Sequence, residues 1–387
     1  MPDLDTIEAK YRVVTPMFVG GADPEKAEFR LPSFKGMLRF WWRALAWGRF
    51  DGNLEEIHQQ EAELFGSADS DIGQAKFVMK ADGDFPDPIP ANRNLIYQQG
   101  TKQGQTVESG VCYLGYGVLD YKGELERQCL PPNFEFTIRV LPKPNLDPEL
   151  RESLVDALQA VGLFGSLGSR VRRGFGSLTL VNCDGACTTS SIDSLRRCFQ
   201  STTRDAGTGP VPEGLPDYTA FSQRSKVFGL VGDEDLSPLE FMQVLGQQMK
   251  EVRGEYSSRD ADIMRSVAER GESPDGHPSR VAFGLPHNYF FKNSGATAGV
   301  APADDERRAS PLWIKIHELD DGRPVAFLQY FPAEFGAGDT VHVGPHEVEL
   351  QFDDAFWNPV VNYANSFLKK GECILHENDT FYFAIFE

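Results

Sequence analysis

The segment Gly162–Ser177 (GLFGSLGSRVRRGFGS) places the tightest constraint on how this chain can fold. Residues 148–163 (PELRESLVDALQAVGL) repeat their apolar side chains at helical spacing, and 176–182 read as a strand. A helix must therefore become a strand through a loop whose glycines are Gly162, Gly165, Gly168, Gly174 and Gly176. Glycine accepts positive φ and lets backbone approach another surface closely. Arg170, Arg172 and Arg173 lie in the loop with no acid among them. One reading is a phosphate-binding loop, with exposed amides and guanidinium groups facing an anion. The other is a tight connection whose arginines pair with acidic surface. The spacing fits neither GxGxxG nor GxxxxGK[ST], which excludes the common nucleotide-cofactor loops.

The surrounding pattern predicts an α+β fold. Residues 7–14 read as a strand and 33–50 as a helix with Ser33 as its N-cap. An acidic helix follows at 54–65, then strands at 75–80, 111–120 and 134–141 before the 148–163 helix and the 176–182 strand. Strand, helix, strands, helix, strand is the order of a split βαβ, RRM-like or ferredoxin-like unit with insertions. Residues 201–216 (STTRDAGTGPVPEGLP) read as a linker, dividing the chain into domains at 1–200 and 217–387. The second half carries strands near 224–230, 280–285, 308–317, 323–331, 344–351 and 379–386, with helices near 237–250, 258–270 and 354–369. It reads as a second, more decorated ferredoxin-like module, with helical and loop insertions. Residues 82–107 and 292–306 read as loops.

In the helix 33–50, Phe34, Leu38, Trp41 and Leu45 share a core stripe at about 100° per residue. Lys35, Arg39 and Arg43, four apart, share another face with Trp42 between them. An acid-free basic face bearing an indole suits RNA, since cations hold phosphates and the ring stacks a base. Equally, Trp42 can cover a neighbouring element while the cations are solvated. Arg307 and Arg308 form a further basic spot before an apolar strand, and Arg224 and Lys226 a weaker one. The whole chain is acidic, with 38 Lys plus Arg against 57 Asp plus Glu and a net charge of −19. Positive charge is thus confined to chosen places; adaptation to a salty cytoplasm explains the acidic total as well.

Catalytic patterns are poor. The seven histidines form no HExxH motif, and no GxSxG is present. Asp23 lies in a loop before Pro24 and reads as a turn former rather than a metal ligand for RNA cleavage. The six cysteines are scattered; Cys183 and Cys187 lack a second pair at zinc spacing, so free buried thiols and no metal are expected. The acidic N-terminus lacks a secretion pattern, and no run approaches the roughly 18 apolar residues of a membrane span, which points to a cytoplasmic location.

The stretch Gly165–Gly176 resembles the signature loop of the RAMP superfamily of CRISPR-associated proteins. Residues 15–21 (TPMFVGG), 31–36 (LPSFKG) and 38–43 (LRFWWR) resemble more narrowly the family of the first-named subunit of type III-B (Cmr) effector complexes. Residues 63–67, 113–117 and 308–312 fit it too. The resemblance implies two ferredoxin-like folds, no nuclease activity and no cofactor. It implies a cap at one end of a crRNA filament, contacting the 3′ guide side of the crRNA and its paired target RNA beside another RAMP subunit. Holding a guide–target duplex requires reading backbone and shape, since pairing reads sequence. The residues assigned to RNA on these grounds are Lys35, Arg39, Trp42, Arg43, Gly165, Gly168, Arg170, Arg172, Arg173, Gly174, Gly176, Arg307 and Arg308. A RAMP endoribonuclease and a purely architectural cap are the alternatives.

Overall fold

The computed structural model describes the chain except residues 1–5, 22, 24–25, 69–71, 91–100, 103–104, 107–109, 119–126, 145, 185–186, 205–214, 305–306, 335–338, 353, 369–372, 375–380 and 386–387. Most of the expected 201–216 linker thus lies outside the described residues.

Strand β1 (Ile7–Val13) buries alternate side chains, Ile7, Ala9, Tyr11 and Val13, and turns Glu8 and Lys10 outward. Helix α1 (Leu31–Arg49) follows, then α2 (Leu54–Phe65), β2 (Phe77–Asp82), the short helix α3 (Gly110–Leu114), β3 (Glu135–Pro142), α4 (Pro148–Phe164), β4 (Leu178–Cys183) and α5 (Ile192–Thr202). The four strands form one antiparallel sheet in the order β2-β3-β1-β4. Helix α1 begins earlier than expected: Arg30 is its N-cap without a side-chain bond, and Pro32 lies in the first turn, where its missing N–H costs nothing. Ser33 is inside the helix. The first part of the 111–120 run, up to Leu114, folds as α3, because a short apolar run reads equally as strand or buried helix. The Val111 amide donates to Gln243 Oε1 of a long helix in the second half at 3.1 Å.

The second half contains β5 (Lys226–Val231), α6 (Pro238–Arg265), β6 (His287–Phe290), β7 (Thr297–Pro302), β8 (Leu312–Glu318), β9 (Pro324–Tyr330), β10 (Thr340–Val343), β11 (His346–Glu349), α7 (Asp354–Leu368), β12 (Cys373–Ile374) and β13 (Phe381–Ile385). Its main sheet runs β8-β9-β5-β13-β12, with β13 parallel to β5. A separate sheet, β6-β7-β10-β11, is inserted. Helix α6 is one element where two were expected, started by a Ser237–Glu240 capping box and ending in a π-turn at Ser266–Arg270. The expected strand at 280–285 is a 3₁₀ turn, Ser279–Phe283, and the 292–306 loop contains β7.

The halves interlock through two shared cores. Phe221, Trp313 and Phe327 of the second half pack among Trp41, Phe164 and Phe199 of the first. Val14, Phe18, Leu114 and Phe175 of the first half join Phe241, Leu245 and Ile314 in the other core. Edge strand β8 docks on the Gly-Arg loop and on β4, itself the edge of the first sheet. The Ile314 amide donates to Arg172 O at 3.1 Å, Ile316 to Ser177 Oγ at 3.1 Å and Glu318 to Thr179 Oγ1 at 3.0 Å. Two edges that would otherwise expose unpaired backbone are covered by one joint.

The cysteine expectation is corrected. Cys187 and Cys198 are disulfide-bonded, their Cα atoms 5.6 Å apart; Cys112, Cys129 and Cys183 are buried and take no part in a disulfide. The partner is brought by α5, which the sequence pattern did not reveal; it starts from a Ser191 cap and buries Cys198 on its inner face.

Candidate nucleic-acid interface

The Gly-Arg loop is bolted to the segment after β1. Its amides are largely used by the protein: Ser169 N donates to Phe18 O at 2.8 Å, Gly176 N to Pro16 O at 2.9 Å and Leu167 N to Gly176 O at 2.9 Å. Ser177 N donates to Thr15 Oγ1 at 2.9 Å. Gly176 has φ +63, and a Cβ there would fall 1.9 Å from Leu167 O, so only glycine closes this turn. Gly165 packs on Trp41, Gly168 on Phe18 and Gly174 near Met242 and Ile314. The glycines therefore shape the joint between the halves, and the expectation of amides spread toward a phosphate is not met at the positions named above.

The arginines divide by depth. Arg170 is exposed, held at φ 61 in the left-handed region, and Arg307 is exposed beside it. Arg172 and Arg173 are half-buried. Arg172 donates to Ser310 O and lies 4.4 Å over the Trp313 ring. Arg173 reaches Met249 Sδ at 2.8 Å. Arg308 Nη2 donates to Ala333 O at 2.6 Å, and its backbone pairs with Leu285. The expectation of arginines paired to acidic surface is likewise unmet for Arg172 and Arg173, whose partners are a carbonyl, a thioether and an indole face.

Two further arginines complete the cluster. Arg253 of α6 approaches His287 Nε2 at 3.3 Å, and Arg280 donates to Ser257 Oγ at 3.1 Å. Burial pushes Arg172 down to about 10, assisted by the charges of Arg308 and Arg173. Arg173 is likewise lowered to about 10 by burial, then by Arg253 and Arg170. Arg253 is lowered by burial, with Arg280 adding to it, and Arg170 by burial, then Arg307. All remain cationic near neutrality. His287 is driven to about 2 by burial and by Arg280, Arg253 and Arg173, so it is neutral. The Nε atoms of Arg253 and Arg280 and Nδ1 of His287 are buried without a hydrogen-bond partner among the described residues. Carboxylates are few here: Asp260 is buried and accepts from the Ser279 and Arg280 amides, and Asp339 acts on Arg308. A chain of net charge −19 thus gathers like charges along one seam. Arg253, Arg280 and His287 escape sequence reading because they stand in mixed-charge or featureless stretches.

The basic helix has a different fate. Trp42 is fully buried and its Nε1 donates to Ser153 Oγ of α4 at 2.9 Å, so it cannot stack a base. At about 100° per residue Trp42 falls beside Trp41 and Leu38, and α1 is covered on that side by α4. Arg39 and Arg43 both pair with Glu61 of α2, which is nearly buried; the Arg43 contact is 3.4 Å. Lys35 donates to Phe65 O at 3.0 Å. The acidic helix that follows α1 is thus the partner of its basic face. Lys35 and Arg39 nonetheless line an open pocket of about 550 Å³ with Lys143 and Phe77.

Asp23 is exposed and 3.7 Å from Lys26 across a turn. His317 is buried between Thr179 Oγ1 and Thr189 O, at 3.2 Å from each. No group of three metal-ligating side chains occurs among the described residues. No helix among them is long and apolar enough to cross a membrane.

Residues 10–179 match the model of the RAMP superfamily. The chain is 27% identical over 327 residues to the CRISPR system Cmr subunit Cmr1-1 of Pyrococcus furiosus, covering 80% of this chain and 82% of that one. Its fold is similar to the apo crystal structure of Cmr1 from Pyrococcus furiosus, with TM-score 0.57, 19% identity, and 93% and 96% of the two chains covered. A chain in a type III-B Cmr-beta complex bound to cognate target RNA and AMPPnP matches with TM-score 0.52 and 13% identity, covering 93% and 98%.

Proposed function

We propose, from the match of residues 10–179 to the RAMP-superfamily model, that the protein is an RNA-binding subunit of a type III-B Cmr effector complex. The observation that carries the reading is the arginine seam, with Arg170 and Arg307 exposed and Arg172, Arg173, Arg253, Arg280 and Arg308 behind them. Gathering like charges is electrostatically costly, and a polyanion that enters such a site relieves it. The first sheet has the strand order of a split βαβ unit, and the second repeats that order with its last strand reversed. The two ferredoxin-like modules are therefore read as one intact and one modified copy.

The exposed face of the first sheet supports placing RNA at the seam. RRM-type readers stack bases on sheet aromatics. Here that face carries paired charges instead: Lys10 and Arg12 with Glu135, and Arg139 with Glu8 and Asp82. The subunit would hold the 3′ guide-side part of the crRNA and its target through phosphates, at one end of the filament beside another RAMP subunit. No catalytic role is assigned to it.

The test is RNA affinity of the full chain across salt concentrations, for wild type and the double variant Arg170→Gln/Arg307→Gln. Affinity should fall for unrelated RNA sequences alike, and the log–log salt slope should become shallower by about 1 to 2. An unchanged slope and affinity would remove the phosphate role and leave an architectural cap.

A further inference from the structure

We propose that Tyr116 is the base-stacking residue of this interface, receiving an unpaired nucleobase while Arg170 and Arg307 hold the adjoining phosphates. The proposal rests on the RNA-backbone reading above and narrows its ligand to an unpaired nucleotide.

Tyr116 is 66% exposed, more than any other large hydrophobic side chain among the described residues. It is presented by a firm base: Leu114 and Val118 on either side are buried, and the Gly115 amide donates to Val111 O at 2.9 Å, closing α3. The residue after it is Gly117, with φ +94, and the Arg170 guanidinium lies directly against that backbone. A Cβ at position 117 would fall 2.1 Å from Arg170 Nη2. Glycine at 117 therefore lets Arg170 settle beside the tyrosine. Arg170 itself occupies the left-handed region, which a non-glycine residue rarely adopts. The turn that holds it there is closed by the Arg173 amide donating to Arg170 O at 2.8 Å.

The result is an exposed aromatic ring beside the exposed Arg170, which has the exposed Arg307 as its own neighbour. Rings with neighbouring cations are the parts from which single-stranded nucleic-acid sites are built; stacking accepts every base because each has a π-face. Within a continuous helix both faces of a base are already stacked. A base can lie on Tyr116 only where it is splayed out, at an end, a kink or a single strand. Stacking uses the ring and not the hydroxyl, so phenylalanine should serve equally.

The experiment measures binding of the full chain to a fluorescent mixed-sequence single-stranded RNA and to the same RNA fully paired. Tyr116→Ala should weaken single-strand binding roughly 5- to 100-fold, with the duplex affinity and the salt slope unchanged. Tyr116→Phe should match wild type. Tyr116→Leu, which keeps apolar bulk without a π-face, should behave like Tyr116→Ala. Arg170→Gln should weaken both ligands and flatten the slope. If Tyr116→Ala has no effect, or Tyr116→Leu restores binding, while Arg170→Gln still acts, the stacking assignment falls and the phosphate site stands. If neither position affects any ligand, both fall.

Discussion

Trp42 and Arg172 illustrate how residue type and residue role part company. Both are side chains that nucleic-acid sites favour, yet one is fully buried and the other lies between the halves. Trp42 fills the space between α1 and α4 and its indole N–H is satisfied by Ser153. Trp42→Ala should therefore lower stability by about 3–5 kcal/mol, as large core truncations do. Thermal denaturation should show it, while the protein that remains folded binds RNA as wild type does. Arg172→Ala should also lower the melting temperature, because the cation over Trp313 and the bond to Ser310 O are lost. Arg170→Ala should leave melting unchanged and act only on RNA. A melting loss for Arg170→Ala matching that of Arg172→Ala would contradict this division.

At the scale of elements, α1 and α2 show why a basic face is not by itself a binding face. Glu61 is carried by the second helix into reach of both Arg39 and Arg43. Much of the positive charge seen on the helix is answered inside the fold. Glu61→Gln keeps the volume and an acceptor while removing the charge. It should raise the affinity of the chain for unrelated RNA and steepen its salt dependence, measured by the same titration. An unchanged slope would mean that this face does not meet RNA at all. Periodicity placed α1, α2, α4 and α7 well, since each has a long apolar stripe. It failed at α3 and at Ser279–Phe283, where short apolar runs take the conformation that packing against α6 and its neighbours favours.

At the scale of the molecule, the last turn of α4 ties the halves together. Lys315 of β8 donates to Gly162 O, and Gln329 Nε2 of β9 donates to Phe164 O at 3.2 Å. Carbonyls that the helix cannot satisfy are thus capped from the other half. Lys315→Met and Gln329→Leu should each cost about 1–3 kcal/mol, read as loss of melting temperature, because a buried carbonyl is left unpaired. Two buried histidines, His317 between Thr179 and Thr189 and His287 beside Arg253, make stability depend on pH. Burial, then the charge of Lys315, lowers His317 to about 3, and His287 is lowered to about 2. Unfolded histidine titrates near 6.5. The folded chain binds fewer protons, so this contribution is complete above about pH 6.5 and is lost as pH falls toward 3. Melting temperature should fall over that window, and His317→Asn should reduce the slope. For the assembly itself, the tagged chain recovered from its native host should bring Cmr-type subunits and small RNAs with CRISPR repeat sequence. Recovery of the chain alone and free of RNA, with the complex expressed, would overturn the subunit reading.

By itself the sequence determined the α+β class, most long helices and strands, and the Gly-Arg loop as a place where cations gather. Those features are local: period, composition and the steric freedom of glycine act within a few residues. Tertiary structure alone decided which cations reach solvent. Arg170 and Arg173 stand three positions apart in one loop, yet one faces outward and the other faces Met249. That choice follows from the docking of β8 along the loop and from α6 behind it, contacts made across 76 to 139 residues of chain. The same docking brought Arg253, Arg280 and Tyr116 to the seam, and an α5 unseen in the pattern joined Cys187 to Cys198. Burial is a property of the assembled core, and no spacing of residues along the chain encodes it.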